Sequence, residues 1–80
     1  MPCYFFHVID SSAIFDTEGL ELPGIDEARA MALRTAGDIL SSEGDTFWNG
    51  GKWGMSVADS TGKVCFRLEV SAWPDDSEDA

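Results

Sequence analysis

The stretch from Cys3 to Leu40 constrains the fold most, because apolar residues first recur every second position and then at helical spacing. A period of two indicates a β-strand whose two faces differ. One face of this strand carries Tyr4, Phe6 and Val8, and the other carries Cys3, Phe5, His7 and Ile9. The turn-forming run at residues 10–12 and the short apolar segment 13–16 predict a hairpin with a brief second strand.

A helix is predicted over residues 25–41, directly after the Pro23-Gly24 pair. Asp26 and Glu27 fall in its first turn, where negative charge suits the positive end of the helix dipole. Projection at 100° per residue gathers its apolar side chains into one stripe. The members of that stripe are Ile25, Ala28, Ala32, Leu33, Ala36, Ile39 and Leu40.

The second half of the chain predicts a turn-rich loop at residues 42–52 and then a second hairpin. Apolar residues alternate in both arms of this hairpin, and residues 59–62 form its turn. The resulting prediction is an α+β fold of order ββαββ, a four-stranded, mainly antiparallel sheet with one helix packed on one face. We expect one compact domain over residues 1–73 and an acidic, disordered tail over residues 74–80.

Charge and cysteine content limit the classes of partner. Fifteen acidic and five basic residues give a formal net charge of −10, which opposes binding to nucleic acid. Two cysteines are too few for a disulfide scaffold. The sequence shows no secretory signal and no apolar run of about 20 residues. We therefore expect a cytoplasmic protein with reduced thiols that binds neither nucleic acid nor membrane.

The residues that could carry chemistry do not form a recognisable catalytic pattern. His7 is the only histidine, and its strand position predicts a partly exposed sheet residue. Cys3 and His7 lie about 13 Å apart on a strand, too far to bind one zinc ion together with Cys65. No catalytic residue, cofactor or metal site is predicted.

Acidic residues near the first hairpin leave two alternatives open. Asp10, Glu18 and Glu21, together with His7, could serve a small enzyme or ligand-binding protein. The overall acidity would also suit an inhibitor that imitates nucleic acid.

Arg29 lies inside the predicted apolar stripe of the helix. A guanidinium group in that position needs a carboxylate partner or must reach past the helix edge. We expect a structural ion pair between Arg29 and Glu18, Glu21 or Asp10.

The favoured function is a non-enzymatic protein-interaction domain, with a homodimer as its simplest form. The sheet face without a helix carries apolar residues where polar ones are usual, and exposed apolar surface marks contact sites. The candidate interface consists of Cys3, Phe5, Ile9, Phe15, Trp48 and Trp73.

The motif Met1-Pro2-x-Tyr4-x-Phe6-His7, followed by Asp16-x-Glu18-Gly19-x-Glu21-Leu22-Pro23, resembles one family. That family consists of short uncharacterised proteins, common in rhizobia and other alphaproteobacteria, classed as a domain of unknown function. The resemblance spans nearly the whole chain and departs from the family pattern at Cys3, Ile9 and Gly24. It implies a shared fold and a bacterial cytoplasmic location, and it implies no activity.

Overall fold

The computed structural model describes residues 1–9 and 13–73. It has the α+β architecture that the sequence predicts, but the predicted order ββαββ and the single helix are wrong. The elements are β1 (Cys3–Ile9), β2 (Ala13–Ile14), β3 (Leu20–Glu21), α1 (Ile25–Ser42), α2 (Gly44–Gly50), β4 (Lys52–Ala58) and β5 (Val64–Ser71). The predicted turn at residues 10–12 and the predicted tail at residues 74–80 lie outside the described residues.

The sheet is antiparallel, with strands in the order β2-β1-β4-β5. The short strand β3 also pairs with β1, at Cys3 and Tyr4. The long strands β1 and β4 are therefore central, and the third long strand, β5, lies at the end of the order. The β4–β5 register shifts by one residue, so that Cys65 is the extra residue of a bulge.

The core lies between α1 and the face of the sheet that bears Tyr4. Three alanines, each four positions apart, form the buried row of α1 and let the helix backbone approach the sheet closely. The residues buried in this core cluster are Tyr4, Ala28, Ala32, Ala36, Trp53, Met55 and Val57. Larger apolar side chains surround it and remain partly exposed, among them Phe6, Val8, Leu40, Phe66, Leu68 and Val70.

Arg29 does not make the predicted ion pair with Glu18 or Glu21. Its guanidinium group lies 3.7 Å from the carboxylate of Asp26, one helical turn away, and both side chains are largely exposed. No ion pair joins Arg29 to Glu18 or Glu21 in the part of the chain that the structure describes, and Asp10 lies outside that part. The alanine row of α1 forms the contact with the sheet. Arg29 directly follows Ala28, so its side chain is rotated by about 100° around the helix axis, away from that contact. The same rotation leaves Leu33, which follows Ala32, exposed.

Helix α2 occupies the segment predicted as a loop. Its sequence, GDTFWNG, contains weak helix formers, so local propensity does not predict it. Phe47 packs against the core cluster, and Gly51 ends the helix in the left-handed conformation with φ 74°. The N–H of Gly51 donates to the carbonyl of Phe47 and caps the helix. Tertiary packing therefore stabilises this helix.

Candidate protein-interaction surface

The side of the sheet opposite the core is defined by strand register, since successive residues point to opposite faces. We call it the open face. Paired residues form five rows across it: Cys3 with Glu21; Phe5 with Ala58 and Val64; His7 with Ser56 and Arg67; Ile9 with Ala13, Gly54 and Glu69; and Lys52 with Ser71. Neither helix contributes to the rows of this face.

The open face is apolar along β1 and charged along β5. Ile9 is 42% exposed, and Phe15, which follows β2, is 64% exposed. The ring of Phe15 lies edge-on to the ring of His7, with their centroids 5.3 Å apart. Phe15 therefore extends the apolar part of the open face beyond β1. Arg67 and Glu69 provide charged side chains at the opposite side of the sheet.

Asp16 fixes the segment that links β2 to β3, residues 15–19, which we call the Asp16 loop. Its Oδ2 atom accepts a hydrogen bond from the N–H of Phe6 in β1, at 3.1 Å. Its Oδ1 atom accepts from the N–H groups of Glu18 and Gly19, both at 3.0 Å. The N–H of Asp16 donates to Nδ1 of His7, also at 3.0 Å. One aspartate thus ties the loop to the sheet through both side chain and backbone.

These contacts hold Asp16 in its ionised form. Burial raises the pKa of its carboxyl group. Hydrogen bonds from the N–H groups of Gly19, Phe6 and Glu18 lower that pKa, and the net pKa falls below the usual 3.8. Because Nδ1 of His7 accepts a hydrogen bond, the neutral ring carries its proton on Nε2. The Asp16–His7 pair is therefore a structural element of the loop.

Gly19 brings the Asp16 loop against the open face. A Cβ atom at this position would lie 2.6 Å from Sγ of Cys3 and 2.9 Å from a ring carbon of Phe5. The residue also has a φ of +75°, which side chains rarely tolerate. The loop therefore packs over Cys3 and Phe5, and both are only partly exposed.

Replacing Gly19 by alanine should destabilise the protein by about 2–4 kcal/mol, because left-handed strain and overpacking act together. Urea denaturation followed by tryptophan fluorescence measures this change. Gly37→Ala is the matched control, since a Cβ at this helical position meets no atom within 4 Å. The control should be stabilised by about 0.5–1 kcal/mol. Equal stability of Gly19→Ala and the unmodified protein would contradict the packing of the loop.

The structure brings together four of the six candidate interface residues. Phe5, Ile9, Phe15 and Trp73 line one groove of about 1160 Å³. Cys3 is not part of its lining, and Trp48 lies on α2 with its ring edge-on to Phe47, at 5.4 Å. The groove also touches residues on the core side of β5, Leu68 and Val70. It therefore passes from one side of the sheet to the other and is not an enclosed pocket.

Two of the acidic residues proposed for an alternative site, Glu18 and Glu21, form no ion pair with His7 among the described residues. Glu18 and Glu21 are exposed, and Asp10 lies outside the described residues. Among residues 1–9 and 13–73, no three His, Cys, Asp or Glu side chains form a group that could hold a metal ion. Asp16 belongs to the same acidic cluster in the sequence, and its backbone N–H donates a hydrogen bond to His7, a contact that the sequence does not predict. The signal for Asp16 itself is the Asp-x-x-Gly spacing of residues 16–19, typical of a turn in which the side chain caps the backbone.

Comparison with known proteins identifies the family and no individual relative. Neither of the two helices in the described part of the chain is long and apolar enough to cross a membrane. No curated protein and no solved structure matches this chain. The sequence pattern of DUF6894, a domain of unknown function, matches residues 3–71. The chain therefore belongs to the DUF6894 family.

Proposed function

We propose that this protein is a non-enzymatic interaction domain that binds a partner protein through the open face. The observation that supports this most is the exposure of Ile9 and Phe15 beside His7 on that face. A sheet covered by helices on one side usually presents polar residues on the other. Contiguous exposed apolar side chains mark contact surfaces.

The proton-accepting groups of Asp16 and His7 already hold hydrogen bonds, whereas a catalytic site requires available ones. Within residues 1–9 and 13–73, the three hydrogen bonds to the Asp16 carboxylate come from backbone N–H groups, and Nδ1 of His7 accepts a fourth backbone N–H. A general base needs an available lone pair directed at its substrate. The enzyme or ligand-binding alternative through His7, Glu18 and Glu21 is for this reason the less supported proposal.

The nucleic-acid mimic also has less support. A mimic requires rows of acidic side chains, whereas the paired positions of the open face combine the basic residues Lys52 and Arg67 with only two acidic ones, Glu21 and Glu69. We further propose a bacterial cytoplasmic location. The family resemblance and the free thiols of Cys3 and Cys65 support that location.

Phe15→Glu should abolish capture of the partner while preserving the fold. The variant places a charge within the apolar part of the open face, where burial against a partner would be costly. Tagged protein is used to recover partners from native cells, and these are identified by mass spectrometry. Leu33→Glu is the matched control, because Leu33 has the same exposed fraction of 64% but lies on α1. The control should recover the same partner as the unmodified protein.

Circular dichroism of both variants confirms that they remain folded. A partner that Phe15→Glu still recovers, but that Leu33→Glu loses, would place the binding surface on the helix side. That result would contradict the proposal.

A further inference from the structure

Strand β5 lies at an uncovered edge of the sheet. It is eight residues long and pairs only with β4, so no strand among the described residues pairs with its outer edge. Unpaired N–H and C=O groups along such an edge can pair with another strand. Natural edge strands are often short or interrupted by proline, and β5 has neither property.

The side chains of β5 differ between its two faces. Phe66, Leu68 and Val70 lie on the core side and are only partly buried. Arg67 and Glu69 lie on the open face and are exposed. Neither of these charged residues forms an ion pair within residues 1–9 and 13–73. The groove described above is lined by residues from both sides of this strand.

The sequence of β5 is self-complementary when two copies of the strand pair antiparallel in one particular register. When two copies of β5 pair about a two-fold axis at Leu68, Arg67 of each copy stands opposite Glu69 of the partner subunit. On the core side, Leu68 meets its own copy, and Phe66 stands opposite Val70 of the partner subunit. An axis at Arg67 would oppose two arginines, and an axis at Glu69 would oppose two glutamates. Directly opposed like charges destabilise a strand pair, and opposite charges stabilise it.

We propose that the protein forms a two-fold dimer in which β5 pairs antiparallel with β5 of a second copy, with the axis at Leu68. The bulge at Cys65 is compatible with this register, because regular pairing with β4 covers residues 66–71 and an axis at Leu68 keeps the opposed residues 66–70 within it. A two-fold axis uses the same surface on both subunits, which a self-matching strand satisfies. The contact is made along the sheet edge and does not include Ile9 or Phe15, so the variants that test it differ from the Phe15→Glu variant that tests the proposed function.

Charge reversal tests both the contact and its register. Sedimentation equilibrium in about 0.15 M salt, which limits repulsion between acidic subunits, measures the dissociation constant of the unmodified dimer. Arg67→Glu alone and Glu69→Arg alone each convert two opposite-charge pairs into like-charge pairs. We expect each variant to raise the dissociation constant by about tenfold or more. An equal mixture of the two variants restores both opposite-charge pairs, and we expect it to form a heterodimer as stable as the unmodified dimer.

Matched controls separate this contact from an effect of net charge. Arg34→Glu and Asp38→Arg change the charge by the same amounts on the exposed side of α1 and should leave the dissociation constant unchanged. A monomeric unmodified protein across the micromolar to millimolar range would overturn the proposal. Association that the single variants do not weaken would also overturn it. Failure of the mixture to associate would reject the register at Leu68.

Discussion

Replacing Met55 by alanine should lower the free energy of unfolding by about 2–5 kcal/mol. Met55 is 2% exposed and lies in the central strand β4, between Val8 of β1 and Leu68 of β5. Truncation would leave a cavity under the alanine row of α1, which cannot fill it. A domain of this size has a total stability of about 5–15 kcal/mol, so much of the population would unfold. Urea denaturation followed by circular dichroism measures the loss.

Leu33→Ala provides the control for this measurement. Leu33 is 64% exposed on α1, so its truncation should change stability by less than about 0.5 kcal/mol. Comparable losses for the two variants would mean that the buried face of α1 is assigned to the wrong residues.

Asp16→Asn should lower the free energy of unfolding at neutral pH by about 1–3 kcal/mol. The substitution keeps the shape of the side chain, but its amide group cannot accept as the ionised carboxylate does from Phe6, Glu18 and Gly19. Denaturation at pH 7 measures the effect. Asp38→Asn, at an exposed position on α1, should change stability by only a few tenths of a kcal/mol.

The effect of Asp16→Asn should shrink in acid. Because folding lowers the pKa of Asp16 below the usual 3.8, the ionised carboxylate stabilises the folded state above that pH. The stabilisation is lost as the pH falls through the lower, folded-state pKa. The stability difference between the unmodified protein and Asp16→Asn should therefore be constant from pH 7 to about 5 and narrow below about 4. A difference that remains constant to pH 2.5 would show that the charge of Asp16 does not stabilise the loop.

Residue periodicity predicts the long elements, because a helix or strand that buries one face needs apolar residues at its own structural period. The alternation in β1 and in the second hairpin predicts which side chains face the core, and helical spacing predicts α1 to within one residue of its end. The same method wrongly places Leu33 and Arg29 on the buried side of α1, because large apolar side chains dominate the position of the predicted stripe. Close approach of the helix instead depends on the small residues Ala28, Ala32 and Ala36.

The parts that sequence patterns miss depend on contacts between distant segments. β3 is two residues long and exists because it pairs with β1. α2 depends on the packing of Phe47. At the candidate surface, alternation predicts the exposed apolar residues Ile9 and Phe15 but not the role of Asp16, which joins Phe6 and His7 across nine or ten positions. The local sequence of residues 16–19 predicts the turn, but it does not predict that the turn binds to strand β1.

Amide NMR spectra of the labelled protein, recorded while the captured partner is added, test most directly whether the open face binds proteins. Chemical-shift changes should cluster at Ile9, at Phe15 and at the facing residues of β4, while the exposed residues of α1 stay unchanged. Changes confined to α1 would contradict binding through the open face.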